Sequence, residues 1–313
     1  MKDLPDKFSN AEYKQMILVK PQDYKKFVKT RQHVTIDKTM VPVGSNWKIN
    51  CYSPSQQYNV EGTTVWSFPD RGDWATHSGK YRGNFSPFVP RNLILKYTEE
   101  GDLVLDQMAG GGTTLVECKL LQRNAIGIDV NSDAIMVTRD RLNFDCHSIE
   151  EYNEPKIQTY IGDARNLNKI KDGKIDLIIT HPPYARIISY TERRLNDDIS
   201  SLKRVDDYLL AMRRIAEESF RVLKEDKYCS VVIGDTRKHR HYVPIAFRVL
   251  QEFLNVGFRL KEDIIKIQHN VLTNRGRWSG SYYDFYKIMH EHVFVFRKAK
   301  EREVPMKLSR KWW

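Results

Sequence analysis

Residues 101–131 read GDLVLDQMAGGGTTLVECKLLQRNAIGIDVN, and this stretch decides the fold. The apolar run Leu103-Val104-Leu105 ends on an acid, Asp106. Gly110, Gly111 and Gly112 follow, and Thr113-Thr114 opens TTLVECKLLQR, which reads as a helix. A second apolar run, AIGIDV, ends on Asp129, 23 residues after Asp106. Strand, glycine turn, helix and strand make the repeating unit of a parallel sheet. Glycines allow a tight turn and let a ligand lie against the backbone, and the helix beyond offers free N–H groups. In open α/β sheets a nucleotide-like ligand binds at such a turn, outside the carboxyl ends of the strands. A plain glycine-rich connection is the simpler reading of the same residues.

The alternation continues outward. VPRNLILKYT (residues 89–98) is helical, with Leu93, Ile94 and Tyr97 on one face. SDAIMVTRDRLNF (132–144) is a helix with Ser132 as its cap. IQTYIGDAR (157–165) and IDLIITHPPY (175–184) are strands, VDDYLLAMRRIAEESFRVLK (205–224) is a long amphipathic helix, and YCSVVIGDT (228–236) is the next strand. YVPIAFRVLQEFLNVG (242–257) is a helix ended by Gly257, and FRLKEDIIKIQ (258–268) and HEHVFVFRK (290–298) are two strands joined by a loop. The expected fold class is therefore α/β: a doubly wound, mostly parallel sheet with helices on both faces. The terminal strand pair, joined without a helix, predicts an antiparallel strand at the sheet edge. This domain spans residues 81–300. Residues 1–80 read as an irregular accessory segment with short strands and one helix over 21–32, begun by Pro21. Residues 301–313 form a basic tail.

Of the 313 residues, 41% are hydrophobic and 29% charged, as in a soluble globular protein. No run of eighteen apolar residues occurs, so no membrane-spanning helix is expected, and the polar N-terminus lacks the apolar centre of a signal peptide. Cys51, Cys118, Cys146 and Cys229 are scattered with no CxxC pair. That pattern predicts neither a metal site nor a disulfide framework and points to a reducing, cytoplasmic setting. Lys and Arg number 51 against 40 Asp and Glu, a net +11. Such a surplus suits a polyanionic partner, since basic side chains gain affinity by displacing counterions from phosphates. A soluble protein that is merely basic carries the same surplus.

Asp129, ending the second strand, is placed to take ribose hydroxyls. Asp163, in YIGDAR, ends the third and can accept from an adenine amine. Lone acids at strand ends are often helix caps, but here three follow in succession along one sheet edge. GxxxxGK[ST] is absent, which disfavours ATP hydrolysis, and a nicotinamide cofactor stays open from the glycine turn alone. The fourth strand runs into His181-Pro182-Pro183-Tyr184. The two prolines fix φ and remove two N–H donors. The Pro182 carbonyl and the His181 imidazole are then fixed acceptors, and Tyr184 offers a ring on which a base can stack. This arrangement suits a planar heterocycle bearing an exocyclic amine.

DLIITHPPY, with VLDQMAGGGTTLVE about seventy residues earlier, resembles the DNA methyltransferases that modify exocyclic amines with S-adenosylmethionine. Their catalytic motif is [Asp/Asn/Ser]-Pro-Pro-[Tyr/Phe/Trp], and their cofactor turn is Asp-Pro-Phe-x-Gly-Ser-Gly-Thr-Thr-like. The resemblance covers roughly residues 81–298. It implies a Rossmann-like class I methyltransferase domain with S-adenosylmethionine as cofactor. The implied cofactor contacts are Asp106, Met108, Gly110, Gly112, Thr113, Thr114, Asp129, Asp163 and Ala164. Asn84, Phe85 and Ser86 join them, because GNFSPFVPRNLILKYTEEGD looks like the family's helix over the methionine end of the cofactor. His181, Pro182, Pro183 and Tyr184 are the implied catalytic residues. The implied reaction is direct methyl transfer to an amine of a flipped base. His181 departs from the family pattern. A neutral imidazole still has one acceptor nitrogen and titrates near neutrality, so His181 either accepts from the amine or takes its proton, or only shapes the turn beside Pro182. The DLIITxPPY context leans toward N4 of cytosine over N6 of adenine.

The implied partner is double-stranded DNA, with a cognate restriction endonuclease as a possible companion; the oligomeric state is open. Basic residues in three loops are the candidate DNA contacts: Arg186, Arg193 and Arg194; Arg237 and Lys238; and Arg275, Arg277 and Trp278. Taken singly, each loop also reads as an ordinary solvated one. Residues 270–289 and 1–80 are the candidates for sequence recognition. Two further readings remain open: an RNA amino-methyltransferase, and a non-catalytic nucleic-acid binder with a methyltransferase fold.

Overall fold

The computed structural model describes residues 13–36, 38–54, 58–81, 83–146, 151–183, 198–202, 204–238, 240–269 and 284–300. In chain order the first elements are β1 (Ile17–Val19), α1 (Pro21–Phe27), the hairpin β2 (His33–Ile36) and β3 (Thr39–Pro42), β4 (Val65–Ser67) and α2 (Phe88–Tyr97). Then come β5 (Leu103–Asp106), α3 (Thr113–Leu120), β6 (Asn124–Asp129), α4 (Ser132–Arg141), β7 (Ile157–Ile161) and β8 (Ile175–Thr180). A 3-10 turn at Ile199–Ser201 precedes α5 (Val205–Val222) and β9 (Leu223–Ile233). The hairpin β10 (Thr236–Lys238) and β11 (His241–Val243), α6 (Ile245–Val256), β12 (Arg259–Ile267) and β13 (His290–Arg297) complete the set.

Nine strands form one sheet in the order β1-β7-β6-β5-β8-β9-β13-β12-β4. The run from β7 to β9 is parallel, and β13 is antiparallel to both β9 and β12. Every residue of β8 is buried, as a central strand covered on both faces requires. The pleat sends alternate side chains to opposite faces. Ile178, Phe294 and Phe296 pack with Tyr208, Met212, Ile215 and Phe253 of α5 and α6. Leu177, Ile179, Val293 and Val295 pack with Val89, Leu93, Leu115 and Val116 of α2 and α3. The doubly wound α/β expectation therefore holds. Among the described residues, no helix is long and apolar enough to cross a membrane.

Three local expectations are corrected. Both edge strands come from the segment expected to be irregular: β1 pairs antiparallel with β7, and β4 pairs parallel with β12. The antiparallel strand β13 lies inside the sheet, between β9 and β12, and β4 shields the outer side of β12. The helix expected over 21–32 ends at Phe27, because His33–Ile36 alternates exposed and buried and is drawn into a hairpin. The cap of α4 is Asn131, one residue before Ser132; its side chain accepts from the Asp133 N–H at 2.9 Å.

Buried acids on α3 and α4 bind the first ninety residues to the sheet. Glu117 is fully buried. Its Oε1 accepts from Trp74 Nε1 and lies 2.7 Å from His77 Nε2, and its Oε2 accepts from Arg91 at 2.8 Å. Burial pushes the His77 imidazole below its ordinary pKa, so it meets the carboxylate as a neutral ring at neutral pH. Asp140 accepts from the Tyr24 hydroxyl at 2.6 Å, the Ser45 N–H at 2.9 Å and Trp47 Nε1 at 3.1 Å. Removing such an acceptor leaves several buried donors unmet. Glu117→Ala is expected to lower the unfolding free energy by about 3–5 kcal/mol in urea titrations. A loss below about 1 kcal/mol, the range of an ordinary surface substitution, would contradict this role.

Candidate active site

The parallel strands end on one sheet edge, and the acids and turns that follow them meet there. After β5 the chain turns over Gly110 and Gly112, whose φ angles of +52° and +79° are left-handed. A Cβ on Gly112 would lie 2.8 Å from Thr138 Cγ2, so the turn is seated against α4. Asp129, at the end of β6, spans it: one oxygen accepts from the Gly110 N–H and the other from the Asn131 N–H, both at 2.9 Å. Arg141 and Thr138 of α4 donate to the Gly111 and Gly110 carbonyls. The glycine turn is thus fixed from below by α4 and from the side by Asp129.

Above the turn is a pocket open to solvent on one side. Among the residues expected to bind a cofactor, Asn84, Phe85, Asp106, Met108, Gly110, Thr113, Asp129, Asp163 and Ala164 line it. His181 and Pro183 line it too, so the glycine turn and the His-Pro-Pro turn share one cavity. Gly112, Thr114, Ser86 and Pro182 are not on its wall. Thr114 is fully buried, Pro182 is buried, and Ser86 donates to the Arg71 carbonyl at 2.7 Å. Tyr184, Arg186, Arg193, Arg194, Arg275, Arg277 and Trp278 lie outside the described residues, as does most of the 270–289 loop and all of the 301–313 tail.

Two expected roles change with the geometry. Asp163 is not an open acceptor: Arg165 grips both its oxygens, with Nε 2.9 Å from Oδ1 and a terminal nitrogen 2.6 Å from Oδ2. The Arg165 N–H adds a third donor at 2.8 Å. Arg237 is likewise engaged within the protein. It donates to the carbonyls of Arg240 and Tyr286, and its guanidinium lies over the Phe285 ring at 4.6 Å. It pins the β10–β11 hairpin to residues 285–286, whereas Lys238 is exposed.

The charge state of the wall is set by burial. It lifts the Asp106 carboxyl to about 7, with the Met108 N–H opposing the rise. Asp129, half-buried at the wall, is lifted to about 6 against the pull of its two backbone donors. Burial lowers the His181 imidazole below its ordinary value, opposed by the nearby Glu291 carboxylate. At neutral pH His181 is therefore a neutral ring with an acceptor nitrogen. It stacks on Phe85, ring centroids 5.4 Å apart at 29°.

Several wall residues went unread in the sequence. Tyr81, Gln107, Asn131, Asp198, Ile199 and Ile215 all line the pocket. Asp198 caps the 3-10 turn, accepting from the Ser200 N–H at 2.8 Å, and its Asp-Ile-Ser spacing is a legible cap signal. Arg71 stands behind the wall, donating to the Asn84 carbonyl at 3.0 Å and the Phe85 carbonyl at 2.8 Å. Nothing in the local sequence around Arg71 marks it, because its partners are main-chain atoms thirteen and fourteen residues away.

The chain is 39% identical over 62 residues to the Type II methyltransferase M.HpaI of Haemophilus parainfluenzae, covering 20% of each chain. It is 29% identical over 204 residues to the tRNA (guanine(10)-N2)-dimethyltransferase of Methanocaldococcus jannaschii, covering 58% of this chain and 56% of that one. A SAM-dependent methyltransferase structure from Methanosarcina mazei aligns with TM-score 0.46 at 16% identity, over 67% of this chain and 98% of that one. The matches to M.HpaI and to the M. jannaschii enzyme span a fifth to just over half of those proteins' length. The family model described as DNA methylase matches residues 3–140 and 175–312, which include both the glycine turn and the His-Pro-Pro turn, and the chain belongs to that N6/N4 DNA methylase family.

Proposed function

We propose that this protein transfers a methyl group from S-adenosylmethionine to the exocyclic amine of a base flipped out of double-stranded DNA, with N4 of cytosine favoured over N6 of adenine. One observation carries the reading: Asp129 with its glycine turn, and His181 with Pro183, line the same pocket. The donor set fits the cofactor. Asp129 is an acid at a strand end, suited to ribose hydroxyls; Ala164 and Ile199 supply apolar wall; and Phe85 stacks on His181. S-adenosylmethionine supplies an electrophilic methyl, whose bond to sulfur breaks as the amine lone pair forms the new bond to carbon.

The chain's part is to hold that amine. Its lone pair is delocalised into the base, so its two N–H groups must be drawn toward acceptors for the nitrogen to become nucleophilic. The neutral His181 imidazole on the pocket wall is the proposed acceptor, and the carbonyl of the buried neighbour Pro182 is proposed as the second; they stabilise mainly the transition state. Unpairing and unstacking the base costs a few kcal/mol, and Tyr184 is the proposed stacking partner that offsets part of it. The lean to cytosine rests on the DLIITxPPY context. A restriction endonuclease that cuts the same site is the proposed companion, supported by the Type II relatives. The tRNA-modifying relative favours a second reading, in which the amine belongs to a base in RNA.

Incubation with labelled S-adenosylmethionine and either duplex DNA or tRNA, followed by nucleoside identification, is expected to give N4-methylcytosine from DNA. Label in tRNA alone would overturn the DNA reading. His181→Ala is expected to lower kcat by about 100-fold or more, the range of a group handling a proton at the reacting centre; an unchanged rate would remove His181 from the reaction. Cofactor binding carries a pH signature. Ribose hydroxyls donate to the ionised form of Asp129, so S-adenosylhomocysteine affinity is full above about 6 and falls as the pH drops through it. By calorimetry, Asp129→Asn is expected to bind more weakly at pH 8 and to depend less steeply on pH. The same steep fall in the variant would exclude Asp129.

A further inference from the structure

His181 is held from its outer side by groups on the antiparallel pair β12–β13. Because β13 runs against the parallel strands, its first residues lie at the edge where those strands end, and this brings Glu291 beside the His-Pro-Pro turn. Glu291 Oε1 is 3.8 Å from His181 Nε2, an ion-pair distance. The other oxygen, Oε2, is held by Lys266 Nζ of β12 at 2.8 Å. Glu291 is 5% exposed, and the side chains of His181 and Lys266 are 14% and 13% exposed. Phe85 covers the imidazole face at a centroid distance of 5.4 Å. Phe85 thus stacks on the ring, and a carboxylate held by a lysine faces its Nε2 side.

We infer that Glu291 is a positioning residue for His181: its carboxylate selects the tautomer with hydrogen on Nε2 and so keeps Nδ1 as the acceptor for the target amine. This inference rests on the methyl-transfer reading. A neutral imidazole has one N–H and one lone pair, and the group facing the first decides where the second is. Lys266 holds Oε2 of Glu291 and leaves Oε1 on the side of the ring. At 3.8 Å the contact acts through electrostatics, favouring hydrogen on the nitrogen that faces the carboxylate. Among the described residues, Glu291 from β13 and Lys266 from β12 act on the charge of the ring. When the amine lone pair forms its bond to the methyl carbon, the nitrogen becomes cationic and sheds one proton. Nδ1 takes that proton, the ring becomes an imidazolium paired with Glu291, and the proton then passes to solvent.

The test combines imidazole 1H–15N NMR with turnover kinetics on the full chain, comparing wild type, Glu291→Gln, Glu291→Gln/Lys266→Met, His181→Ala and His181→Ala/Glu291→Gln. Wild type is expected to show the Nε2–H tautomer of His181. In Glu291→Gln that preference is expected to be lost and the imidazole to titrate at lower pH. The same variant is expected to lose about 10- to 100-fold in kcat, up to the lower end of the range for proton-transfer groups, with KM for S-adenosylmethionine unchanged. Adding Glu291→Gln to His181→Ala is expected to cost nothing more. The Lys266→Met double variant restores local neutrality and reports the same tautomer change if the single variant folds poorly. Unchanged His181 tautomer and titration, or a full additional loss on top of His181→Ala, would overturn the inference. Wild type that methylates no nucleic acid would defeat the methyl-transfer reading, while the NMR comparison would still decide whether Glu291 governs His181.

Discussion

Glu117 is a fully buried acid, and its hydrogen-bond donors come from Trp74, His77 and Arg91, outside its own helix. A buried carboxylate without donors is costly, so the segment before the sheet has to fold across α3. Asp140 makes the same demand from α4, met by Tyr24, Ser45 and Trp47. Once the segment is drawn in, Arg71 can reach the carbonyls of Asn84 and Phe85, and Phe85 can cover His181. One wall of the pocket therefore depends on acids buried on the far side of the glycine turn.

The central α/β layers were legible because their signals are local. Apolar runs ending on Asp106 and Asp129, and the 3.6-residue spacing of Tyr208, Met212, Ile215 and Ser219 along α5, need no tertiary information. The edge strands were not legible. β1 and β4 are three residues each, too short for a periodic signal, and they are strands only because β7 and β12 offer open edges. The position of β12 inside the sheet was hidden for the same reason, since its outer partner β4 comes from two hundred residues earlier.

The site divides along the same line. Residues of the two turns could be named from sequence, because turn chemistry is written in consecutive residues such as Gly110 to Gly112 and His181 to Pro183. Residues acting through distant partners could not. Arg165 lies two residues from Asp163 and closes it off, yet only the folded geometry shows the bidentate grip. Glu291 is more than a hundred residues from His181 and meets it only because β13 reverses direction. Burial then shapes the chemistry: it raises the acids Asp106 and Asp129 and keeps His181 neutral, so the pocket carries less charge than its residue list suggests.

The central claim is that a single cavity holds a nucleoside cofactor with its reactive end at the His-Pro-Pro turn. A crystal structure with S-adenosylhomocysteine bound tests it most directly. The account predicts the ribose hydroxyls on Asp129 and the sulfur on the side of the pocket bounded by Phe85, His181 and Pro183. Density for the ligand outside this pocket, or with its sulfur turned away from His181, would contradict it.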